Sequence, residues 1–168
     1  MGLRGIVIDI AERKKAENML RESEERFRGI FQESPIGIEL YDSNGELLTV
    51  NKACLDIFGV SDIEEVEGFK LFEDPNLPDE EKKRLQNKEM VRYEVPFDFN
   101  KVRQHKLYET SKSGIIYLDV LITPLALGEN AHLAGYLVQV QDITKRKQAE
   151  MTLKQSEEFN SSLLTNSP

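Results

Sequence analysis

Cysteine, histidine and long apolar segments are scarce in this sequence, and each scarcity excludes a class of protein. The single cysteine, Cys54, cannot form an internal disulfide, which favours a reducing compartment. No apolar run approaches the ~18 residues of a membrane-spanning helix, and the amino-terminal apolar stretch is too short for a signal peptide. We therefore expect a cytoplasmic protein without direct membrane contact, although a longer parent protein could be membrane-attached.

Positive charge is in short supply as well. The chain has 22 Lys and Arg against 30 Asp and Glu, for a net charge of −8. A nucleic-acid partner requires a basic surface, so this class of partner is excluded. The sequence also lacks a glycine-rich phosphate loop, a Cys/His metal cluster and a nucleophile–base spacing. We expect no catalytic residue, no metal ligand and no enzymatic activity in this fragment.

The sequence does contain a repeated segment. Residues 9–35 recur at 142–168 with an offset of 133 residues and twelve identities in 27 positions. Because 168 residues cannot hold two such units, we expect one complete unit within a tandem array.

The repeat sets the expected boundaries. Residues 1–8 would be the tail of a preceding repeat, in the positions of its last strand, and 9–26 a connector helix. Residues 27–142 would form the globular domain. Residues 143–168 would be the exit helix and the start of the next repeat.

The connector is rich in good helix formers, and Asp9 and Asp142 each precede a helical segment as candidate caps. Its narrow apolar stripe suits a two-helix seam in a homodimer. A solvated spacer helix remains the alternative. The expected dimerisation residues are Leu20, Phe27, Ile30 and Phe31.

Period-two apolar alternation predicts strands near 36–41, 47–50, 93–99, 116–122 and 136–140. We expect residues 106–110 to extend the third strand, and short helices near 52–58, 61–69 and 79–90. Helices bunched in mid-chain must cover one face of the sheet. The expected fold is therefore α+β, a five-stranded antiparallel sheet with short helices on one face and a connector helix at each end.

The space between sheet and helices is a natural small-ligand cavity. Its expected wall residues are Ile38, Leu40, Phe58, Leu71, Leu85, Met90, Phe97, Leu118, Val120, Val138 and Val140.

Several short motifs together resemble the PAS domain family over residues 27–147. They are Asp42-Ser43-Asn44-Gly45, Asn51-Lys52-Ala53, Phe58-Gly59, Lys112-Ser113-Gly114, Thr123-Pro124 and the exit segment that starts at Asp142. The connectors are similar to those between successive PAS domains of sensor histidine kinases. The resemblance implies a sensory module in a two-component phosphorelay, with adjacent PAS repeats and a downstream kinase domain as partners. Asp142, Ile143 and Thr144 would transmit the signal at the exit.

The residues that PAS cofactors require are missing from the expected positions. Flavin-binding PAS domains carry a reactive cysteine in an Asn-Cys-Arg-Phe stretch on a later helix, whereas Cys54 lies in the helix after the second strand. Haem-binding members use a histidine on the last mid-chain helix, and residues 79–90 contain none. We expect neither haem nor flavin, and an unknown small ligand stays open.

Two functions remain open. One is a sensor that binds a small ligand or partner, and the other is a structural dimerisation spacer with no ligand. An inward-facing polar group in a cavity would favour the sensor, whereas a fully packed core would favour the spacer.

Overall fold

The computed structural model describes residues 2–129 and 131–165. Within these residues it has five helices, five strands and two short 3-10 turns. The helices are α1 (Gly2–Glu33), α2 (Lys52–Phe58), α3 (Asp79–Gln86), α4 (Phe99–Gln104) and α5 (Thr144–Thr165), and the 3-10 turns are Ile63–Val66 and Leu71–Glu73. The strands are β1 (Gly37–Asp42), β2 (Leu47–Val50), β3 (Val91–Asp98), β4 (Ile115–Leu127) and β5 (His132–Asp142).

The strands form one antiparallel sheet in the order β2-β1-β5-β4-β3. The main core lies on one face of this sheet, where Val120, Ile122, Val138 and Val140 are buried together with residues from the mid-chain segments. This arrangement confirms the predicted α+β fold class. It also places Pro96 on β3, an edge strand, where a missing backbone donor is tolerated.

Local sequence signals determine where α2 begins and ends. The Asn51 side chain accepts a hydrogen bond from the Cys54 amide and caps the helix. Gly59 ends α2 in the left-handed conformation at φ 66°, which a side chain would strain. Both the start and the end of this helix agree with the sequence prediction.

The predicted secondary structure of the amino-terminal segment is wrong. Residues 2–8 continue α1 as a helix instead of forming a strand, and Asp9 lies within that helix rather than at its cap. Among the described residues no strand pairs with this segment, and adding residues to an existing helix costs far less than starting one. Residues 166–168, which end the expected exit segment, lie outside the described residues.

The mid-chain helices also differ from the prediction. Helix α3 ends at Gln86 because Lys88 turns the chain with φ 61° and its amide bonds to the Leu85 carbonyl. Residues 106–110 form no strand. Instead α4 follows β3 directly, with the Asp98 side chain capping it and with Phe99 and Val102 fully buried.

Candidate functional site: a cavity between the sheet and the helices

A cavity of about 70 Å³ lies between the inner face of the sheet and the mid-chain helices and turns. A single water needs ~10–15 Å³ of such space, so the cavity has room for about half a dozen non-hydrogen atoms. Seven of the predicted wall residues line it: Phe58, Leu71, Phe97, Leu118, Val120, Val138 and Val140.

Four predicted wall residues lie elsewhere. Leu85 is buried in the core but does not line the cavity, and Met90 is 59% exposed beyond the end of α3. Ile38 and Leu40 point to the opposite face of the sheet, because strand β1 turns Glu39 and Tyr41 inward.

Gly37 explains why Glu39 and Tyr41, rather than Ile38 and Leu40, face the cavity. A side chain there would meet Ile57 Cδ1 at 3.1 Å and the Cys54 Cα at 3.2 Å, so α2 packs directly on this glycine. Gly37 was the sequence signal for which side of β1 faces the helices, since a glycine inside a strand marks a close approach of another segment.

A buried polar group occupies one wall of the cavity. The Tyr41 hydroxyl donates to Glu39 Oε2 at 2.5 Å, and the Cys54 thiol donates to Glu39 Oε1 at 3.1 Å. Burial raises the pKa of Glu39, which the Tyr41 and Cys54 hydrogen bonds oppose, and the charge of Asp74 raises it further. Burial also raises the pKa of the Cys54 thiol, so this cysteine is a protonated hydrogen-bond donor.

A second polar group comes from the loop before α3. The Asn76 amide nitrogen donates to Asp74 Oδ1 at 2.8 Å, and the Asn76 side-chain nitrogen donates to the same oxygen at 3.3 Å. Asn76 is 6% exposed, and its Oδ1 has no hydrogen-bond partner. Burial raises the pKa of Asp74. Neither Asp74 nor Asn76 was predicted as a site residue, because a turn composition does not show which way a loop side chain points.

The rest of the lining is aromatic and aliphatic. Tyr93 and Tyr108 face the cavity, and burial raises the pKa of both phenols. None of the described lining residues is Lys, Arg or His, so His105 and His132 lie elsewhere. Residues 2–129 and 131–165 contain no group of three His, Cys, Asp or Glu side chains placed to hold a metal ion.

The exit from the sheet is held by a compact set of hydrogen bonds. Asp142 Oδ1 accepts from the Thr144 amide at 2.9 Å and from its hydroxyl at 2.5 Å. The Ile143 amide donates to the Tyr117 carbonyl at 2.8 Å, and the Tyr117 amide donates to Thr144 Oγ1 at 2.9 Å. Ile143, which precedes the first helical residue, is buried. The three predicted exit residues thus fasten α5 to β4.

A charged contact adds a second attachment of α5. Glu94 on β3 pairs with Arg146 at 2.5 Å and with Lys147. These ion pairs lower the pKa of Glu94, with the Lys147 hydrogen bond as the largest cause. Helix α5 is therefore tied to both β3 and β4.

Three of the four predicted dimerisation residues lie on the surface of α1. Leu20, Phe27 and Ile30 are more than half exposed. Phe31 is buried, and its ring stacks on Phe27 with centroids 5.6 Å apart. Phe31 therefore belongs to the domain core rather than to an exposed seam, since the end of α1 packs against α2.

The structure defines a class of small α+β domain. In this class an antiparallel five-stranded sheet carries short helices and a small cavity on one face, with a long helix at each end. The PAS domain family profile matches residues 25–92. The PAS domain of an HTR-like protein from Haloarcula marismortui is 23% identical, with a TM-score of 0.56 over 77% of this chain and 99% of that one. The PAS domain of Bordetella pertussis BvgS is 20% identical, with a TM-score of 0.54 over 83% of this chain and 98% of that one.

Sequence relatives lie in larger signalling proteins. Sporulation kinase A of Bacillus subtilis is 28% identical over 158 residues, which is 92% of this chain and 24% of the kinase. Sporulation kinase E of the same organism is 29% identical over 158 residues, or 90% of this chain and 19% of the kinase. The chain thus spans about a quarter or less of these relatives. Residues 25–92 thus match the PAS domain family, and the chain is similar to segments of these kinases.

Among residues 2–129 and 131–165, no helix has both the length and the apolar character that crossing a membrane requires.

Proposed function

We propose that this chain is the sensory PAS module of a larger sensor histidine kinase, with a small ligand bound in the cavity. The observation that supports a sensor over a spacer is the unpartnered Asn76 Oδ1, buried at the wall of a cavity that also holds the carboxyl groups of Glu39 and Asp74. A buried polar group without a partner costs ~1–3 kcal/mol. A ligand that donates to it would recover this free energy.

Strand β3 offers a route from the cavity to the exit helix. Tyr93 and Val95 line the cavity, and Glu94 between them points to the other side of the sheet and pairs with α5. Successive residues of a strand face opposite sides of the sheet, so Glu94 lies on the side away from the cavity. A ligand that shifts Tyr93 and Val95 would also shift Glu94, because Glu94 lies between them in the same strand. Asp142, Ile143 and Thr144 attach α5 to β4, and we propose that this attachment and the Glu94 ion pairs together relay the change to α5.

We propose a downstream kinase domain and a homodimer in the parent protein. The kinases above support the first. A third relative, the Probable diguanylate cyclase DgcE of Escherichia coli, is 28% identical over 145 residues, 86% of this chain and 12% of that protein. This relative makes a cyclase the second candidate for the effector domain.

The test of the sensor role is to fill the cavity. A set of neutral, cationic and anionic fragments of up to about six non-hydrogen atoms is screened by two-dimensional amide NMR. We expect at least one fragment to shift signals of cavity residues in the native chain and none to do so in Val120→Phe. Leu121→Phe, which adds the same ring on the outer face of β4, should bind as the native chain does.

The screen can also fail in two informative ways. Fragment binding that is unchanged in Val120→Phe would place the ligand elsewhere. If no fragment shifts the cavity signals of the native chain, the structural spacer is the better description.

A further inference from the structure

Three polar groups of the cavity offer acceptor atoms to a ligand. Glu39 and Asp74 contribute carboxyl groups, and Asn76 contributes a carbonyl oxygen without a partner. The Asn76 side-chain nitrogen is already engaged with Asp74, as are the Tyr41 hydroxyl and the Cys54 thiol with Glu39. The Tyr93 and Tyr108 hydroxyls also face the cavity and can donate or accept, whereas the two carboxyl groups and Asn76 Oδ1 offer acceptors to a ligand.

No basic side chain lines the cavity beside the carboxyl groups of Glu39 and Asp74, and burial favours the neutral form of both. Lys82 and Lys101 are near enough to lower the pKa of Asp74, but neither lines the cavity, and no basic group contributes to the pKa of Glu39. Buried charges in proteins are normally paired. A cationic ligand would pair with Glu39, favour its ionised form and reduce the repulsion between the two carboxyl groups.

The remaining walls require an apolar body on the ligand. Phe58, Phe97, Leu118 and Val138 line the same cavity, and a hydrated inorganic cation would make no apolar contact with these side chains. The described residues also provide no three-ligand metal cluster. The space of about 70 Å³ limits the ligand to about half a dozen non-hydrogen atoms.

We propose that the cavity binds a small primary amine in its ammonium form, with the ammonium between Glu39, Asp74 and Asn76 Oδ1 and a short hydrocarbon chain against the aromatic and aliphatic walls. The proposal rests on the proposed sensor function and names the ligand class of the same site. A primary ammonium has three donors, which matches the three acceptor groups. An aliphatic chain of about four carbons completes the available volume.

The experiment uses three probes of nearly equal size that differ in charge: n-butylamine, 1-butanol and butyrate. Each is titrated into the full chain at pH 7.5, and amide NMR shifts of cavity residues give the dissociation constants. We expect butylammonium to bind at least about tenfold more tightly than butanol, and butyrate to bind least. Glu39→Gln should reduce this preference at least about fivefold while butanol affinity is unchanged. Asp74→Asn serves as a second variant if the first fails to fold.

Glu73→Gln is the matched control, since Glu73 is exposed, pairs with Lys70 and adjoins Asp74 in sequence without lining the cavity. It should leave all three affinities unchanged. Butanol or butyrate binding as tightly as butylammonium would overturn the amine proposal and leave a ligand-binding cavity in place. Cavity shifts caused by Zn²⁺ and not by butylammonium would overturn it as well. No cavity shift with any probe would contradict both the amine and the proposed sensor role.

Discussion

At the scale of single residues, Asn51 joins three elements through one side chain. Its Oδ1 accepts from the Ile38 and Cys54 amides at 2.8 and 3.0 Å, and its Nδ2 donates to the Phe31 and Ile36 carbonyls at 2.9 and 2.8 Å. The side chain is fully buried. It therefore fixes the end of α1, the start of β1 and the start of α2 relative to one another.

Asn51→Ala should destabilise the domain by about 2–4 kcal/mol, since it removes a helix cap and leaves buried backbone groups unpaired. Chemical unfolding followed by circular dichroism measures the change. Asn100→Ala, at an exposed position of α4, should cost less than about 0.5 kcal/mol. Equal loss in both variants would mean that the four Asn51 hydrogen bonds add little net stability.

Glu39 gives the domain a definite pH dependence. Burial raises its pKa above the ordinary value of 4.5, so the folded state holds this proton more tightly than the unfolded state. Below pH 4.5 Glu39 is protonated in both states and does not lower the free energy of unfolding. As pH rises through the folded pKa, ionisation of the buried carboxyl group lowers this free energy, and above that pKa the loss is complete. Asp74, which has a raised pKa for the same reason, contributes in the same direction.

Glu39→Gln should therefore gain stability relative to the native chain as pH rises from 5 to 8. Denaturant unfolding at both pH values gives the difference in the free energy of unfolding. Glu73→Gln, an exposed carboxylate, is the control and should show no such trend. A stability difference between Glu39→Gln and native chain that is the same at pH 5 and pH 8 would mean that Glu39 titrates normally.

Sequence patterns predicted residues whose contacts are local in sequence. They missed residues whose orientation depends on contacts between distant segments. The Asn51 cap and the Gly59 terminator are both explained by bonds within a few residues. The inward direction of Glu39 depends on α2 packing against Gly37, and the inward direction of Asn76 depends on the path of a loop. A polar residue in a strand suggests a solvent face, so the sequence alone favoured the wrong phase of β1.

At the scale of elements, the exit helix is held at two points that can be tested separately. Asp142→Ala removes acceptor bonds from the Thr144 amide and hydroxyl, worth ~0.5–2 kcal/mol in comparable caps. Domain stabilities are ~5–15 kcal/mol, so the core melting transition should stay nearly intact. Hydrogen exchange of residues 144–158 should quicken, by about tenfold if the loss is 1.4 kcal/mol.

Asp9→Ala is a matched control for this variant. Asp9 is the counterpart of Asp142 in the repeated segment but lies within α1, so its loss should leave exchange of that helix unchanged or slower. Global unfolding of Asp142→Ala would instead make Asp142 part of the core scaffold. Unchanged exchange in residues 144–158 would make it a bystander.

The Glu94 attachment should behave differently, because it is exposed and ionic. Glu94→Gln should quicken exchange in the first two turns of α5 at low salt, and the effect should shrink at 1 M salt, where the Debye length falls to ~3 Å. Glu150→Gln is the control: it removes a partner of Arg146 and Lys147 within α5 and leaves their ion pairs with Glu94 on β3 in place. A Glu94→Gln effect that persists in high salt would point to packing rather than to charge.

Elements with strong periodicity were predicted and short ones were not. The alternation in β4 and β5 located both strands, since Leu118, Val120, Val138 and Val140 face one core. Helix α4 is only six residues long, and its signal was the Asp98 cap followed by the apolar pair Phe99 and Val102. Residues 2–8 have strand-like composition, but a strand needs a neighbour, and among the described residues it has none.

At the scale of the whole molecule, the surfaces of the two long helices remain unexplained by the domain itself. Leu20, Phe27 and Ile30 on α1 are exposed, and Phe159 and Leu163 on α5 are exposed as well. Two chains that align their α1 helices in parallel would bury the first three side chains against their counterparts. Full burial of a Leu or Phe side chain contributes up to ~1.5–3 kcal/mol, so a weak dimer is expected from this stripe.

Leu20→Asp should raise the dimer dissociation constant at least about tenfold, which corresponds to 1.4 kcal/mol. Sedimentation equilibrium over a range of concentrations measures the constant. Asn18→Asp introduces the same charge two residues away, on a different face of α1, and should change it little. Equal weakening by both variants would indicate general charge repulsion, and a native chain that is monomeric at high micromolar concentration would exclude α1 as a dimer contact. Retained dimerisation in Leu20→Asp would shift the interface to α5 or the sheet, and the relay from the cavity would then pass between copies at that surface.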